Sequence, residues 1–192
     1  MESHEILELF KEKSALLEGH FELASRKHSS NYLQCALILQ YPDLTNRLCR
    51  VIAERFKNKV DLVAGPAIGG IIIAYEIARI LGVRAIYTER KEEALELRRG
   101  FEIKNGERIL LVEDVITTGG SVLELASLCE RMGGNVIGIA TLIDRTGGKN
   151  KMPYHLEALV QIDLPTYERD QCPMCQKNTP LVKPGSQKLV HR

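Results

Sequence analysis

The strongest constraint on this chain is a series of short, unbroken apolar runs that starts near residue 60. They occupy residues 60–64, 84–87, 109–112 and 136–143, and each is closed by glycine or a polar turn before a stretch of helical periodicity. Runs of this length suit strands better than helices, and a strand apolar on both sides is one buried on both faces. Strands that alternate with helices build a parallel sheet covered by helices on its two faces. The expected class is therefore α/β. Helices are expected over 70–81 and 121–132, each ending at a glycine able to cap it, and residues 156–162 supply a last strand.

Outside this region the signals differ. Ile6, Leu7, Leu9, Phe10, Leu16 and Leu17 recur at helical spacing, which predicts an amphipathic helix over 5–17. Leu44, Leu48, Val51, Ile52 and Phe56 predict a second helix opening after Pro42. Between them, residues 20–40 alternate weakly around the polar patch 25–31 and read as short strands about a loop. The segment from Pro165 is rich in proline and polar residues, and the basic stretch 183–192 is expected to be poorly ordered. At 192 residues one buried core is expected, with a small appendage built from the ends.

Charge narrows the partners. With 26 basic against 25 acidic side chains the net charge is +1, so nothing general favours nucleic acid or an anionic membrane. Any anion site must be local. The start, Met1 to Glu5, has no basic segment leading into an apolar run, and no apolar stretch approaches spanning length; a cytoplasmic location is the default expectation. Five cysteines without an export signal argue for reduced thiols, with Cys35, Cys49 and Cys129 read as core residues.

The chemistry concentrates in residues 109–121, where a buried strand runs through Glu113 and Asp114 into Val115-Ile116-Thr117-Thr118-Gly119-Gly120-Ser121. In a parallel sheet such a loop lies at the carboxyl edge, where ligands bind. Two glycines let backbone N–H groups turn toward a phosphate, the next helix presents its positive end, and Thr117, Thr118 and Ser121 add hydroxyl donors. Two carboxylates would repel a phosphate standing alone. They suit a sugar phosphate, gripping ribose hydroxyls or approaching a metal while the loop holds the phosphate. The same composition also suits a plain strand-to-helix turn with an acidic N-cap.

The run from Val112 to Ser121 resembles the phosphoribosyl pyrophosphate motif of the type I phosphoribosyltransferases. Further segments resemble the orotate-using members of that family: Leu16-Leu17-Glu18-Gly19-His20-Phe21-Glu22-Leu23 with Ser25 and His28-Ser29, the run from Gly65 to Gly70, Leu142-Ile143-Asp144-Arg145, and Cys172-Pro173-Met174-Cys175 leading to Pro180-Leu181-Val182. The resemblance implies the type I phosphoribosyltransferase fold in a single domain, 1–192. Its core would cover about 43–164, with a small hood and tail from 1–42 and 165–192. It implies transfer of ribose 5-phosphate from phosphoribosyl pyrophosphate to orotate, giving orotidine 5-monophosphate and pyrophosphate on the route to UMP. Mg²⁺ would be held mainly through the substrate rather than by protein ligands.

Residue by residue, it implies that 113–121 and Ala67-Ile68-Gly69 bind the donor, with Arg90 and Lys91 on its pyrophosphate. Thr117, Arg145, Asn31 and Tyr32 would hold orotate, and Asp114 and Lys91 would be the catalytic pair. An arginine meets a carboxylate through a bidentate pair, which orotate offers and a purine does not. Residues 88–100 correspond to a mobile loop that closes over pyrophosphate, partly from the neighbouring subunit of a homodimer. Arg98 and Arg99 are substitutes for Lys91 there. The chain departs from the family pattern at Gly69, where a lysine is usual, at Ala24, and at Ala94 and Glu96, which replace a loop lysine and histidine.

Cys172 and Cys175 form a lone C-x-x-C. A structural zinc site needs two more ligands, and His191 is a weak partner, so the main expectation is a structural turn. His28 falls near the expected base site; His4, His20 and His155 give no site signal. Two rival functions remain at this stage: a purine or other salvage phosphoribosyltransferase, and a non-enzymatic nucleotide sensor on the same fold.

Overall fold

The computed structural model describes residues 1–23, 25–149 and 151–184. Its elements in chain order are α1 (Ser3–Glu12), β1 (Leu16–Glu22), β2 (His28–Leu33), α2 (Ala36–Leu39), α3 (Pro42–Phe56), β3 (Leu62–Pro66) and α4 (Gly69–Leu81). Then come β4 (Arg84–Lys91), β5 (Ala94–Leu97), β6 (Arg108–Ile116), α5 (Gly120–Arg131), β7 (Asn135–Asp144), β8 (Leu156–Gln161), β9 (Thr166–Tyr167) and α6 (Pro173–Gln176).

Six strands form the central sheet in the order β5-β4-β3-β6-β7-β8, and every neighbouring pair is parallel except β4 with β5. Alternation along each strand feeds two cores. Leu62, Ala64, Ile109, Leu111 and Ile139 pack with Val122, Leu125, Ala126 and Cys129 of α5. Val63, Leu110, Val112, Ala140 and Leu142 pack on the other side with α1, α3 and α4. This is the α/β arrangement expected from apolar runs buried on both faces. Cys35, Cys49 and Cys129 are buried and unbridged, as the periodicity suggested.

A second, small sheet joins the two ends of the chain in the order β1-β2-β9, all antiparallel. Residues 20–40 do contain strands, together with the short α2. The N-terminal helix stops earlier than expected: Ser14 takes a left-handed φ of 52°, and Leu16 and Leu17 become strand residues paired with Leu33 and Tyr32. The helix pattern extended across them because alternating and helical spacings coincide over so few positions. Gly82 caps α4 with φ 71°, as expected, whereas α5 stops at Arg131 with Met132 as its C-cap and Gly133 at φ 88° just beyond.

The largest correction concerns 88–100. The strand expected to end at Tyr87 continues as a hairpin: β4 runs on to Lys91, turns at Glu92 with φ 53°, and returns as β5, pairing Arg90 with Leu95 and Lys91 with Ala94. Charged residues dominate both arms, so the alternation of an edge strand is hidden there. Only Leu95 is buried among the returning residues. Residues 185–192, with His191, lie outside the described residues, as does Ala24.

Candidate active site

The sheet order places the chain's reversal between β3 and β6. From β3 the chain goes outward to β4 on one side, then crosses to β6 on the other. The crevice at the carboxyl ends of two such strands is where open α/β sheets take ligands. Both glycine-bearing motifs end here.

Contact between them is close enough to dictate residue type. A Cβ on Gly69 would stand 2.5 Å from Asp114 Oδ2, and one on Gly65 would meet the Gly70 carbonyl at 2.6 Å. A side chain at 69 would require Asp114 to move from where it lies. The Ala67–Ile68 peptide is cis, and Ile68 is exposed.

Beyond β6, Thr117 and Thr118 are exposed, and Gly119 takes φ 80° to turn the chain into α5. Leu123 N–H donates to the Gly119 carbonyl, opening the helical ladder there, and Gly120 N–H donates to the Thr118 hydroxyl at 3.4 Å. This is a helix N-terminus with a glycine entrance, the geometry that favours phosphate.

The carboxylates lie just behind it. Burial pushes Glu113 up to about 7, with the neighbouring Asp114 charge adding to the effect. Asp114 is also raised by burial, although it accepts the Val115 N–H at 2.9 Å. Among the described residues no ion pair holds either group. Two desolvated carboxylates at a crevice are strained toward the neutral form, and donors or a cation arriving with a ligand relieve that strain.

Opposite them, β2 and the end of β7 meet. Arg145 is buried at 6% exposure. Its Nη2 donates to Ser29 Oγ at 3.1 Å, while its Nε has no partner among the described residues. Ser29 is used on every side, donating to the Pro165 carbonyl and accepting also from Asn31 N–H. Asp144 does not neutralise the guanidinium; it accepts from Thr146 and Gly148 instead. Arg145 is therefore no solvated strand-end charge. Tyr32 lies within electrostatic reach of both Asp114 and Arg145; burial raises its phenol, Asp114 adds to this and Arg145 opposes it. So Tyr32, Arg145 and Asp114 lie within reach of one another. Ser29, which holds Arg145, is a residue that sequence reasoning gave no role; only a long-range contact reveals it.

The basic hairpin is otherwise engaged. Lys91 stands 3.8 Å from Glu96, Arg90 pairs with Glu124, and Arg98 and Arg99 both pair with Glu89. These are exposed pairs of small energetic weight. The expected C-x-x-C turn holds a surprise as well: His20 and His28 come to Cys172 and Cys175, with the four ligand atoms all within 4.8 Å of one another.

Strand order, a glycine-bearing helix entrance and paired carboxylates together define a class. The chain belongs to the phosphoribosyl transferase domain family, whose model matches residues 38–160. Within it, the chain groups with the orotate phosphoribosyltransferases: it is 52% identical to the orotate phosphoribosyltransferase of Caldanaerobacter subterraneus over 98% of this chain and 100% of that one. Two solved structures share the fold. One is an orotate phosphoribosyltransferase from Aeropyrum pernix, 22% identical, TM-score 0.69, covering 81% of this chain and 93% of the other. The second is an adenine phosphoribosyltransferase from Rhodothermus marinus, also 22% identical, TM-score 0.66, covering 83% and 99%. The fold is thus common to enzymes named for different bases, and the base must be read from the site.

Proposed function

We propose that this protein transfers ribose 5-phosphate from phosphoribosyl pyrophosphate to orotate, releasing pyrophosphate and inverting the ribose anomeric carbon, as an enzyme of UMP biosynthesis. The observation that carries the choice of base is Arg145. A buried guanidinium with an unpartnered Nε suits a planar carboxylate, and a purine would leave it unpaired.

In this reading the amides of 117–121 and the Thr117, Thr118 and Ser121 hydroxyls hold the 5-phosphate. Glu113 and Asp114 accept from the ribose hydroxyls, and the backbone of Ala67, Ile68 and Gly69 lies along the pyrophosphate. The backbone of Asn31 and Tyr32 lines orotate, with Arg145 and Thr117 fixing N1 in line with the anomeric carbon. As the C–O bond to pyrophosphate lengthens, positive charge grows on the ribose ring beside Asp114 and negative charge on the departing oxygens. Asp114 stabilises the first; Lys91, assisted by Arg90, stabilises the second. No protein nucleophile is needed.

The uncompensated oxygen donors of Glu113 and Asp114 fit Mg²⁺ arriving on the substrate, an ion that prefers oxygen ligands and phosphate company. When bound, Mg²⁺ supplies charge neutralisation on the pyrophosphate group. Residues 1–192 act as one domain, with core 43–164 and a hood and tail from 1–42 and 165–192. The working form is a cytoplasmic homodimer in which 88–100 reaches the neighbouring site. Exposed cations at the tip of an edge hairpin, held only by weak surface pairs, support that reach. Among the described residues no helix is long and apolar enough to cross a membrane.

The test is consumption of orotate, set against adenine, hypoxanthine and uracil, with phosphoribosyl pyrophosphate and Mg²⁺. Turnover of orotate alone is expected. Arg145→Ala should raise the orotate KM by roughly 100-fold, the value of a charged hydrogen-bonded pair of about 2–3 kcal/mol, with the donor KM little changed. Lys91→Ala should lower kcat instead, and Asp114→Asn should lower both kcat and donor affinity. Turnover of a purine, or nucleotide binding without turnover, would overturn the assignment.

A further inference from the structure

Four side chains outside the crevice form a cluster that the transferase reaction does not use. His20 lies near the end of β1, His28 opens β2, Cys172 precedes α6 and Cys175 lies within it. Three are buried, with Cys172 fully so and Cys175 at the margin. They come from segments up to 155 residues apart, brought together by the β1-β2-β9 sheet and by Val182, whose N–H donates to the His20 carbonyl.

The four ligand atoms lie close enough to share one ion. His20 Nε2 stands 2.8 Å from His28 Nδ1, 3.5 Å from Cys172 Sγ and 3.7 Å from Cys175 Sγ, and Cys175 Sγ is 3.3 Å from His28 Nδ1. A tetrahedral zinc with ordinary Zn–N and Zn–S bonds spaces its ligand atoms by about 3.3–3.8 Å. Small outward shifts would open the centre for an ion. The tautomer is also set. His20 Nδ1 lies 2.8 Å from the Thr179 carbonyl, an acceptor, so Nδ1 carries the proton and the Nε2 lone pair points into the cluster. A cleft lined by His20, His28, Cys175, Asn178 and Thr179 gives access from solvent.

We propose that His20 Nε2, His28 Nδ1, Cys172 Sγ and Cys175 Sγ bind one zinc-type divalent cation as a closed, structural site. Two thiolates and two imidazoles in a tetrahedron select a thiophilic ion over Mg²⁺, and four protein ligands leave no position for catalysis. The ion ties the C-terminal segment to both hood strands. Through His28 it also fixes the strand on which Ser29 holds Arg145, so the site steadies the base side of the crevice from behind.

The test uses the full chain, reduced and purified without a metal-affinity step. About one zinc per chain by elemental analysis is expected, and cobalt(II) added after chelator treatment should give the intense visible bands and sulfur-to-metal charge transfer of a tetrahedral thiolate site. Cys175→Ser should lose zinc affinity by more than the roughly 10- to 100-fold cost of disturbing an outer partner, whereas His155→Ala, which pairs with Glu157 outside the cluster, should keep it. Should Cys175→Ser fail to fold, wild-type alkylation decides: zinc must shield Cys172 and Cys175 from maleimide, and chelator must expose them. Absence of zinc and of the tetrahedral cobalt spectrum in the reduced wild-type protein would overturn the proposal, as would unchanged alkylation on chelation or undiminished zinc in Cys175→Ser.

Discussion

At the scale of single residues, Glu113 makes a claim about stability as well as binding. Its folded-state pKa is raised by burial to about 7. A carboxyl raised on folding contributes stability that is complete below the ordinary glutamate range and is lost as the pH climbs toward the folded value. Glu113→Gln should therefore stabilise the ligand-free protein by about 1–3 kcal/mol at neutral pH and flatten the pH dependence of denaturant midpoints across that window. An unchanged slope between acid and neutral pH would contradict it. The same substitution should weaken donor binding. Glu113 and Asp114 were legible in the sequence because they are contiguous with the phosphate loop. Arg145 was legible through the strand end that carries it. Ser29, His20 and the packing of Gly69 on Asp114 were not, since each depends on a partner far along the chain.

Among elements, the strands of the parallel sheet could be read directly, because continuous apolar runs have few other folded uses. The β4–β5 hairpin could not, because an edge needs little apolar surface and charges mask its alternation. Glu124 on α5 ties it down beside its own pairing, accepting the Leu95 N–H at 2.6 Å with one oxygen and Arg90 at 2.7 Å with the other. Glu124→Ala should free the edge strand. Hydrogen exchange at the Leu95 amide is expected to quicken by about fivefold, the effect of one net hydrogen bond of about 1 kcal/mol. No change would mean that pairing with Arg90 alone holds the strand.

For the whole molecule, the proposed dimer has a consequence for mixtures. If 88–100 serves the neighbour's site, a chain carrying Lys91→Ala and one carrying Arg145→Ala can together build one complete site. An equimolar mixture, once subunits exchange, should regain activity well above either variant alone; a hairpin acting only within its own subunit would give none. The small sheet carries a different consequence. His28 pairs with Tyr167 and Phe21 bridges to Val182, so this sheet closes one of the longest loops in the protein. During synthesis the N-terminal strands emerge first and wait, unpaired on that edge, until Thr166, Tyr167 and Val182 have followed. Under the proposed assignment, the base side of the crevice thus comes into being after the donor cradle, and a nascent chain can form the one well before it can complete the other.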